Sequence, residues 1–429
     1  MKKAGLILAL FVCLIGWQVS ASLPDSIQHT THKSLRFSDM KFFAAGQFWF
    51  RHTKLNPGSQ VDGIDETSIT DLSIRRFRMG LNGDVTERLF VKIQVGLNNM
   101  NYLTRISGIS LLDLLVVYKL DKRLHLGLGK NGYTGPSRYA SAASTSALGV
   151  DIPIFALSTI NIEDDYLRKF SVFAKGNLGQ LNYRLVLAKP SKPLLARTIE
   201  EEANFSYGDP KMQVSSYFKY QFLEKETMQT AFMPGTYYGT KKVLNLGFGF
   251  LTQDQATWSL VENDTSYHRM KQWALDLFAD LPMNASNTQS LTLYAAFFHT
   301  DFGPSYLRMI GVNNPTLQSD GSTLNGSGNR YPSIGTGKVY YGQLGYRFML
   351  PGELKRIGAV QPYLNIQYAD YDRLQEKMLL YELGGSLIFD GHRSKLTFGW
   401  QNRPIYNNGD HPTVTERKSM YVLQYQFKL

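Results

Sequence analysis

The sequence predicts an all-β protein, a transmembrane antiparallel β-barrel of sixteen strands. Three observations lead to this fold class. The chain begins with a secretory signal, apolar and polar residues alternate with a period of two in many segments, and no later window offers 18 consecutive apolar residues for a spanning helix. Because lipid cannot satisfy free backbone groups, strands cross a membrane only as a closed sheet.

The N-terminal residues have the composition of a secretory signal peptide. Lys2 and Lys3 precede a mostly apolar stretch, and Val19-Ser20-Ala21 fits a cleavage site before Ser22. We therefore expect three regions: a signal peptide at 1–21, a periplasmic N-terminal arm at 22–39 and an outer-membrane β-barrel at 40–429.

The single cysteine, Cys13, lies inside the predicted signal. The exported protein would then carry no thiol, disulfide or cysteine-based metal site, and we predict neither a metal nor a cofactor. A lipoprotein anchor at Cys13 is the alternative, but Val12 stands where that motif has a small residue.

The clearest alternation runs from Leu89 to Asn98, where odd-numbered residues are Leu, Val or Ile and even-numbered ones are mostly polar or small. In the neighbouring segment 72–82, the same parity turns Arg76 and Arg78 toward the lumen. Arg75 has outward parity there, so we expect it at the rim of the barrel.

The pattern recurs along the whole chain. It predicts sixteen strands near residues 41–51, 72–82, 89–98, 111–119, 124–130, 167–175, 181–188, 211–222, 242–251, 271–281, 290–299, 338–349, 361–369, 379–389, 395–402 and 420–429.

The connections between these strands give an independent check. Bacterial barrels have short turns on the periplasmic side and longer loops on the outer side. The connections at 53–69, 131–166, 189–210, 252–270 and 300–337 are long, as outer loops should be. The connection at 223–241 is too long for a periplasmic turn, so it hides extra structure or the strand count is wrong there.

A soluble β-sandwich is the alternative all-β fold. It would place apolar residues on the buried face and charges on the outer face, whereas the polar face here is rich in glycine, glutamine and tyrosine. The uniform β-pattern over about 408 exported residues favours one large barrel.

The inward face is predicted to be basic. Removing Lys2 and Lys3 leaves 44 basic residues against 35 acidic ones, a net charge of about +9. Rings of fixed charge set the potential that a passing ion meets, so excess Lys and Arg would favour anions, unless carboxylates of the loops pair with them. By parity the inward charges are Lys41, Arg51, Arg76, Arg78, Lys92, Lys119, Lys169, Lys175, Arg184, Lys219, Lys242, Arg347, Lys395, Arg403 and Lys428 against Asp113, Asp276, Asp280, Glu382 and Asp390.

The chain resembles the phosphate-selective porins O and P and their broad family. The resemblance rests on Ser73–Thr86 with the strand that follows it, on Leu126–Lys130 with Pro136, and on Asp276–Pro282. It also rests on the aromatic strand that ends the chain, which is similar to the signal read by the outer-membrane assembly machinery. Leu429 replaces the usual terminal aromatic residue of that signal.

The resemblance implies a sixteen-stranded barrel, usually a trimer, whose inward loops narrow the pore and whose basic lumen residues select phosphate or polyphosphate in some members. Strand count and resemblance together make the loop Asn131–Asp165 the candidate constriction, with Tyr133, Arg138 and Tyr139 as its candidate residues. The candidate pore-lining residues for an anion path are Arg76, Arg78, Lys92, Lys169, Arg184, Lys219 and Arg347.

The sequence therefore predicts a porin for passive diffusion of small hydrophilic solutes, with an anion preference and phosphate as one candidate solute. Expected partners are outer-membrane lipids, the assembly machinery and two further copies in a homotrimer. Nucleic acid is not expected, because the chain is exported and lacks a basic run. No hydrolase or nucleotide-binding motif is present, so no enzyme is predicted. A structural or surface-binding barrel and a barrel hydrolase remain the alternatives.

Overall fold

The computed structural model describes residues 40–104, 108–193, 201–206, 208–262 and 264–429. The predicted signal peptide and N-terminal arm lie outside these residues. Within them, no helix has the length and apolar character needed to cross a membrane.

Sixteen long strands form one closed antiparallel barrel, which confirms the predicted fold class and strand count. Each strand pairs with the next, and β1 pairs with β16 from Ala45↔Lys428 to Thr53↔Met420. The strands are β1 Met40–Lys54, β2 Ser68–Asp84, β3 Leu89–Met100, β4 Ser110–Lys119, β5 His125–Asn131, β6 Lys169–Leu178, β7 Leu181–Lys189, β8 Gln213–Gln221, β9 Val243–Val261, β10 Asp264–Pro282, β11 Gln289–Asp301, β12 Gly337–Met349, β13 Ala359–Tyr371, β14 Met378–Asp390, β15 Ser394–Tyr406 and β16 Val414–Lys428.

Short elements occupy the connections. The short strands are Ser59–Val61, Ile64–Asp65, Asn204–Phe205, Leu307–Ile310, Gln318–Ser319 and Tyr331–Gly335, and the 3₁₀ turns are Tyr139–Ser141, Ser144–Ser146, Ile154–Ala156 and Gly352–Arg356. We call the end of the barrel that carries the connections 55–67, 132–168 and 302–336 the long-loop end. The opposite end, with turns such as 85–88 and 391–393, is the short-turn end.

The outer surface of the barrel is apolar, as the alternation requires. On β9, the outward residues Leu246, Phe248 and Phe250 are 47%, 44% and 38% exposed. Water would not favour such a continuous exposed apolar surface, whereas hydrocarbon solvates it.

A β-bulge in β2 reverses its inward parity. Gln47 of β1 pairs with Arg76 and the next residue, Phe48, pairs with Ile74, so Arg75 is the extra residue. A bulge re-aims the side chain it inserts. Arg75 is therefore buried in the lumen next to Arg76, and the prediction that Arg75 lies outward at the rim is wrong.

The expected outer loop at 252–270 is also different in the structure. β9 and β10 remain paired as far as Val261↔Asp264, with an irregularity between Gln253 and Thr257. The two strands thus extend beyond the rest of the barrel as one long hairpin rather than separating into a loop.

The hydrophobic core lies inside the barrel, where the connection 132–168, the long inward loop, enters the lumen. Its Phe155 packs edge-to-face on Phe298 of β11, with the ring centroids 5.0 Å apart, and its Tyr139 lies 4.2 Å from Tyr294. The inner faces of β10 to β13 are rich in buried apolar and aromatic residues. The apolar part of the loop thus packs on the inner faces of β10 to β13, and part of the inner wall on β1 to β3 stays open.

Candidate functional site

A cavity of about 510 Å³ lies in the lumen next to β1, β2 and β3. Its lining includes Arg308 and Val312 from the connection at the long-loop end. It also includes Lys428 and His392 of the short-turn end. The lumen cavity therefore connects regions near both ends of the barrel, as a permeation path must.

The charged residues that line the lumen cavity are all basic. Among the described residues around it there are seven Lys or Arg side chains and no Asp or Glu. Those seven residues are Arg75, Arg76, Arg78, Lys92, Arg168, Arg308 and Lys428. Across the β2–β3 pair, Arg76 is opposite Asn98, Arg78 is opposite Gly96 and Lys92 is opposite Asn82. These three cations therefore lie along about 20 Å of the two strands.

Asp151 of the long inward loop holds the two adjacent arginines of the bulge. Its carboxylate accepts hydrogen bonds from Arg75, at 2.8 Å, and from Arg76. Burial acts to raise the pKa of Asp151, but the charges of Arg75 and Arg76 outweigh it and hold that pKa below its usual range. One ionised carboxylate is thus shared by two guanidinium groups, which leaves one positive charge in excess.

Arg78 has no carboxylate partner among the described residues. Its guanidinium donates to the carbonyl oxygens of Phe77 and Leu97, at 2.7 and 2.6 Å, and to the side-chain oxygen of Asn98. These neutral acceptors orient the group and leave its charge uncompensated. It is the clearest free positive charge on the wall.

A second shared carboxylate lies behind the lining of the cavity, further along β3 and β4. Lys92 donates to Asp113 at 2.9 Å, and the Nε of Arg168 approaches the other oxygen of Asp113 at 3.5 Å. The ring of Phe232 lies beneath both cations, with its centroid 4.6 Å from the Lys92 Nζ and 4.8 Å from the Arg168 Cζ. Again one acidic group faces two basic ones.

Apolar side chains also face the lumen cavity. Ile152, Phe232, Ile310 and Val312 line it and are only partly buried. The cavity therefore combines cationic groups from β2, β3 and the long inward loop with an apolar strip from the connections 132–168, 222–242 and 302–336.

Sequence reasoning named seven pore-lining candidates, and three of them, Arg76, Arg78 and Lys92, line this cavity. The other four candidates are inward or near the short-turn rim but are engaged elsewhere. Lys169 donates to Thr159 and lies near Asp164, Arg184 donates to the carbonyl of Ala231, Lys219 donates to Glu226, and Arg347 donates to the carbonyls of Tyr238 and Asn287.

The three constriction-loop candidates are buried and anchor the long inward loop. Tyr133 stacks on Phe173 with the ring centroids 4.2 Å apart, and Tyr139 donates to Gln343. The guanidinium of Arg138 lies 3.5 Å from the ring centroid of Phe278. These residues hold the loop in place, and none of the three is on the lining of the lumen cavity.

The unexplained connection at 223–241 is a second inward segment, entering from the short-turn end as residues 222–242. Met233 exchanges backbone hydrogen bonds with Ser141 and Ala143 of the long inward loop, at 2.8 and 2.9 Å. The carbonyl oxygen of Thr236 accepts a hydrogen bond from His392 Nε2 at 3.0 Å. Two connections from opposite ends thus meet inside the barrel, and the strand count at this point was correct.

Glu226 joins the two inward connections. Its carboxylate accepts hydrogen bonds from both terminal nitrogens of Arg138, at 2.9 and 2.6 Å, from Lys219 at 2.6 Å and from Tyr237 at 2.6 Å. Burial acts to raise the pKa of Glu226, but the charges of Arg138 and Lys219 keep it well below its usual range. A fully bonded, ionised Glu226 is a rigid link between the two connections.

Comparison with solved structures identifies the same architecture. OprB of Pseudomonas putida superposes with a TM-score of 0.56 over 91% of this chain and 94% of its own, at 10% identity. The barrel has a porin fold. OmpF of Salmonella typhi, in a structure with daunomycin, gives a TM-score of 0.50 at 10% identity and covers 90% of this chain and 97% of its own. No protein-family model and no curated protein matches this sequence.

The link at Glu226 gives a first prediction. Glu226→Gln leaves Arg138 and Lys219 buried without an opposing charge, a loss that costs about 3–5 kcal/mol in comparable buried pairs. We expect the free energy of unfolding to fall by about that amount, measured by denaturant titration of the folded barrel with tryptophan fluorescence. Glu224→Gln, at an exposed position of the same segment, is the matched control. Equal midpoints for the two variants would show that Glu226 contributes no link.

Glu163 gives a pH-dependent prediction. Burial raises its pKa to about 7, although Lys169 and the amide of Gln253, which donates at 2.6 Å, act in the opposite direction. A raised carboxyl pKa stabilises the fold below the unfolded pKa, and that stability is lost as pH rises through about 7. We expect the melting temperature to fall between about pH 5 and pH 8 in the wild type.

The matched variant for this effect is Glu163→Gln, which keeps a hydrogen-bonding side chain without a titrating charge. Its melting temperature should depend less on pH than that of the wild type, while Glu262→Gln at an exposed position of the β9–β10 hairpin should behave as the wild type. Parallel pH profiles for Glu163→Gln and the wild type would contradict the assignment.

Proposed function

We propose that the protein is an outer-membrane porin for passive diffusion of small hydrophilic solutes and that it prefers anions. The observation that carries this proposal is the charge of the lumen cavity, which has seven basic and no acidic lining residues among those described. The porin fold and the predicted export signal support the membrane location.

Electrostatics of the cavity favour anions even after ion pairing is counted. The carboxylates of Asp151 and Asp113 each serve two cations, and Arg78, Arg308 and Lys428 have no carboxylate within ion-pair distance among the described residues. Low-dielectric walls focus the field of such fixed charges along a narrow path. A passing anion therefore meets a net positive wall.

Phosphate is one solute that this wall can accept. Guanidinium groups present a planar fork that matches two phosphate oxygens, and three of them follow one another at Arg75, Arg76 and Arg78. The resemblance to the phosphate-selective porins supports the same proposal. The resemblance also supports a homotrimer and recognition of the C-terminal strand by the assembly machinery.

A structural or surface-binding barrel is the second candidate. It is favoured by the two inward connections, which meet inside the barrel and occupy much of the lumen. Such a barrel would conduct no ions, so conductance in a planar bilayer separates the two proposals.

The selectivity test uses the reversal potential of the purified protein in a planar bilayer under a potassium chloride gradient. A unit charge about 10 Å from an ion changes its energy by about 0.4 kcal/mol in water, with opposite signs for anion and cation. We therefore expect Arg78→Gln to lower the chloride-to-potassium permeability ratio about fourfold. Arg356→Gln, on an exposed 3₁₀ turn at the short-turn end, should leave the ratio unchanged. A wild-type potential set by potassium would refute the anion preference.

Asp151→Asn tests the same wall in the opposite direction. Removing its charge frees the two positive charges of Arg75 and Arg76 that it partly neutralises. We expect a higher chloride-to-potassium permeability ratio than in the wild type, with channels still open. An unchanged ratio in channels of unchanged conductance would mean that these arginines do not face the permeating ion and would contradict the prediction.

A further inference from the structure

We infer that the anion this channel conducts best is an organic carboxylate with an apolar, preferably aromatic, body. The inference rests on the proposed anion preference and narrows it to one solute class. It comes from the apolar strip of the lumen cavity, which a preference for anions in general does not require.

The two kinds of lining occur within the same cavity. The cationic side is built by Arg75, Arg76 and Arg78 of β2, and the apolar strip includes Ile152 of the long inward loop and Val312 of the connection 302–336. Asp151, whose carboxylate binds Arg75 and Arg76, immediately precedes Ile152 in the chain. The first apolar group thus follows directly on the residue that is bound to the arginines.

Partly exposed apolar side chains are unfavourable in a path built for strongly hydrated inorganic ions, because they offer no group to replace lost water. They are favourable for a solute that carries its own apolar surface. Sites for small organic molecules are mostly apolar with a few placed polar groups, and their volumes are about 300–1,000 Å³, a range that includes this cavity.

Phe232 is the reason for preferring an aromatic body. Its ring is partly buried, lines the cavity and lies under both Lys92 and Arg168. An aromatic solute can place its ring against Phe232 or between the cations, where ring faces are attracted to positive charge. Its carboxylate then reaches the same cations or the arginines of β2.

The wild-type protein provides the first experiment. Reversal potentials under bi-ionic conditions, with potassium benzoate on one side and potassium acetate on the other, give the benzoate-to-acetate permeability ratio. Benzoate diffuses more slowly in water, so a wide, featureless pore would give a ratio below one. We expect a ratio above one and a reduction of chloride current by added benzoate that is greater than that caused by equal acetate or inorganic phosphate.

Variants then locate the effect. Ile152→Thr together with Val312→Thr should lower the benzoate-to-acetate ratio, because both changes place hydroxyl groups on the apolar strip. Ile64→Thr is the matched control, since Ile64 is 67% exposed and lies off the cavity. If the double variant does not fold, Ile152→Thr alone is measured. The wild-type benzoate-to-acetate ratio tests the inference independently of these variants.

The outcomes separate this inference from the proposed function. A chloride-selective channel with a benzoate-to-acetate ratio below one overturns the inference and leaves the anion porin standing. A potassium-selective or silent barrel overturns the proposed function and the inference with it. A stronger effect of phosphate than of benzoate would assign the cavity to inorganic phosphate and would also overturn the inference.

Discussion

Closure of the sheet between β1 and β16 is the constraint on which the rest of the structure depends. Every backbone group of a strand in lipid needs a partner within the sheet, and an open edge would leave a row of them unsatisfied. The register from Ala45↔Lys428 to Thr53↔Met420 removes that edge. Once the sheet is closed, each strand has one face toward lipid and one toward the lumen. Alternate residues of each strand therefore form the apolar outer surface and the charged interior.

The lumen is divided because its inner wall differs from one side to the other. The inner faces of β10 to β13 carry aromatic residues such as Tyr294 and Phe298, which bury the long inward loop by apolar packing. The inner faces of β2 and β3 carry arginine and lysine, which no apolar loop can cover without leaving charges unpaired. The apolar part of the loop therefore packs on the aromatic side, and the cavity remains next to the charged faces of β2 and β3.

The sequence predicts correctly the features that depend on local periodicity. It predicts wrongly the features that depend on a single inserted residue or on a contact between distant parts of the chain. All sixteen strands follow from alternation, and so do the positions of Arg76, Arg78 and Lys92 on the cavity wall.

The position of Arg75 was predicted wrongly because a bulge inserts one residue of β2 opposite β1. That bulge is a property of the pairing between β1 and β2 rather than of β2 alone. The length of 223–241 signalled extra structure, but its entry into the lumen depends on Glu226 meeting Arg138, 88 residues away. The parity count also omitted the loop carboxylate of Asp151. Apolar residues on both faces of β10 and β11 were the available signal of a covered inner wall.

Two carboxylates, each shared by a pair of cations, moderate the positive charge of the cavity wall, which bears on the anion conduction proposed above. A wall with every cation paired would attract no anion, and a wall with every cation free would repel itself in the folded barrel and hold an anion too tightly for release. Conduction needs binding that is strong enough for entry and weak enough for exit. Asp151 pairs with Arg75 and Arg76, and Asp113 pairs with Lys92 and Arg168. Each carboxylate thus cancels one of two positive charges, at two places along the cavity. Because Asp151 lies on the long inward loop, the loop that narrows the lumen also sets how much positive charge the bulge at Arg75 presents to the cavity.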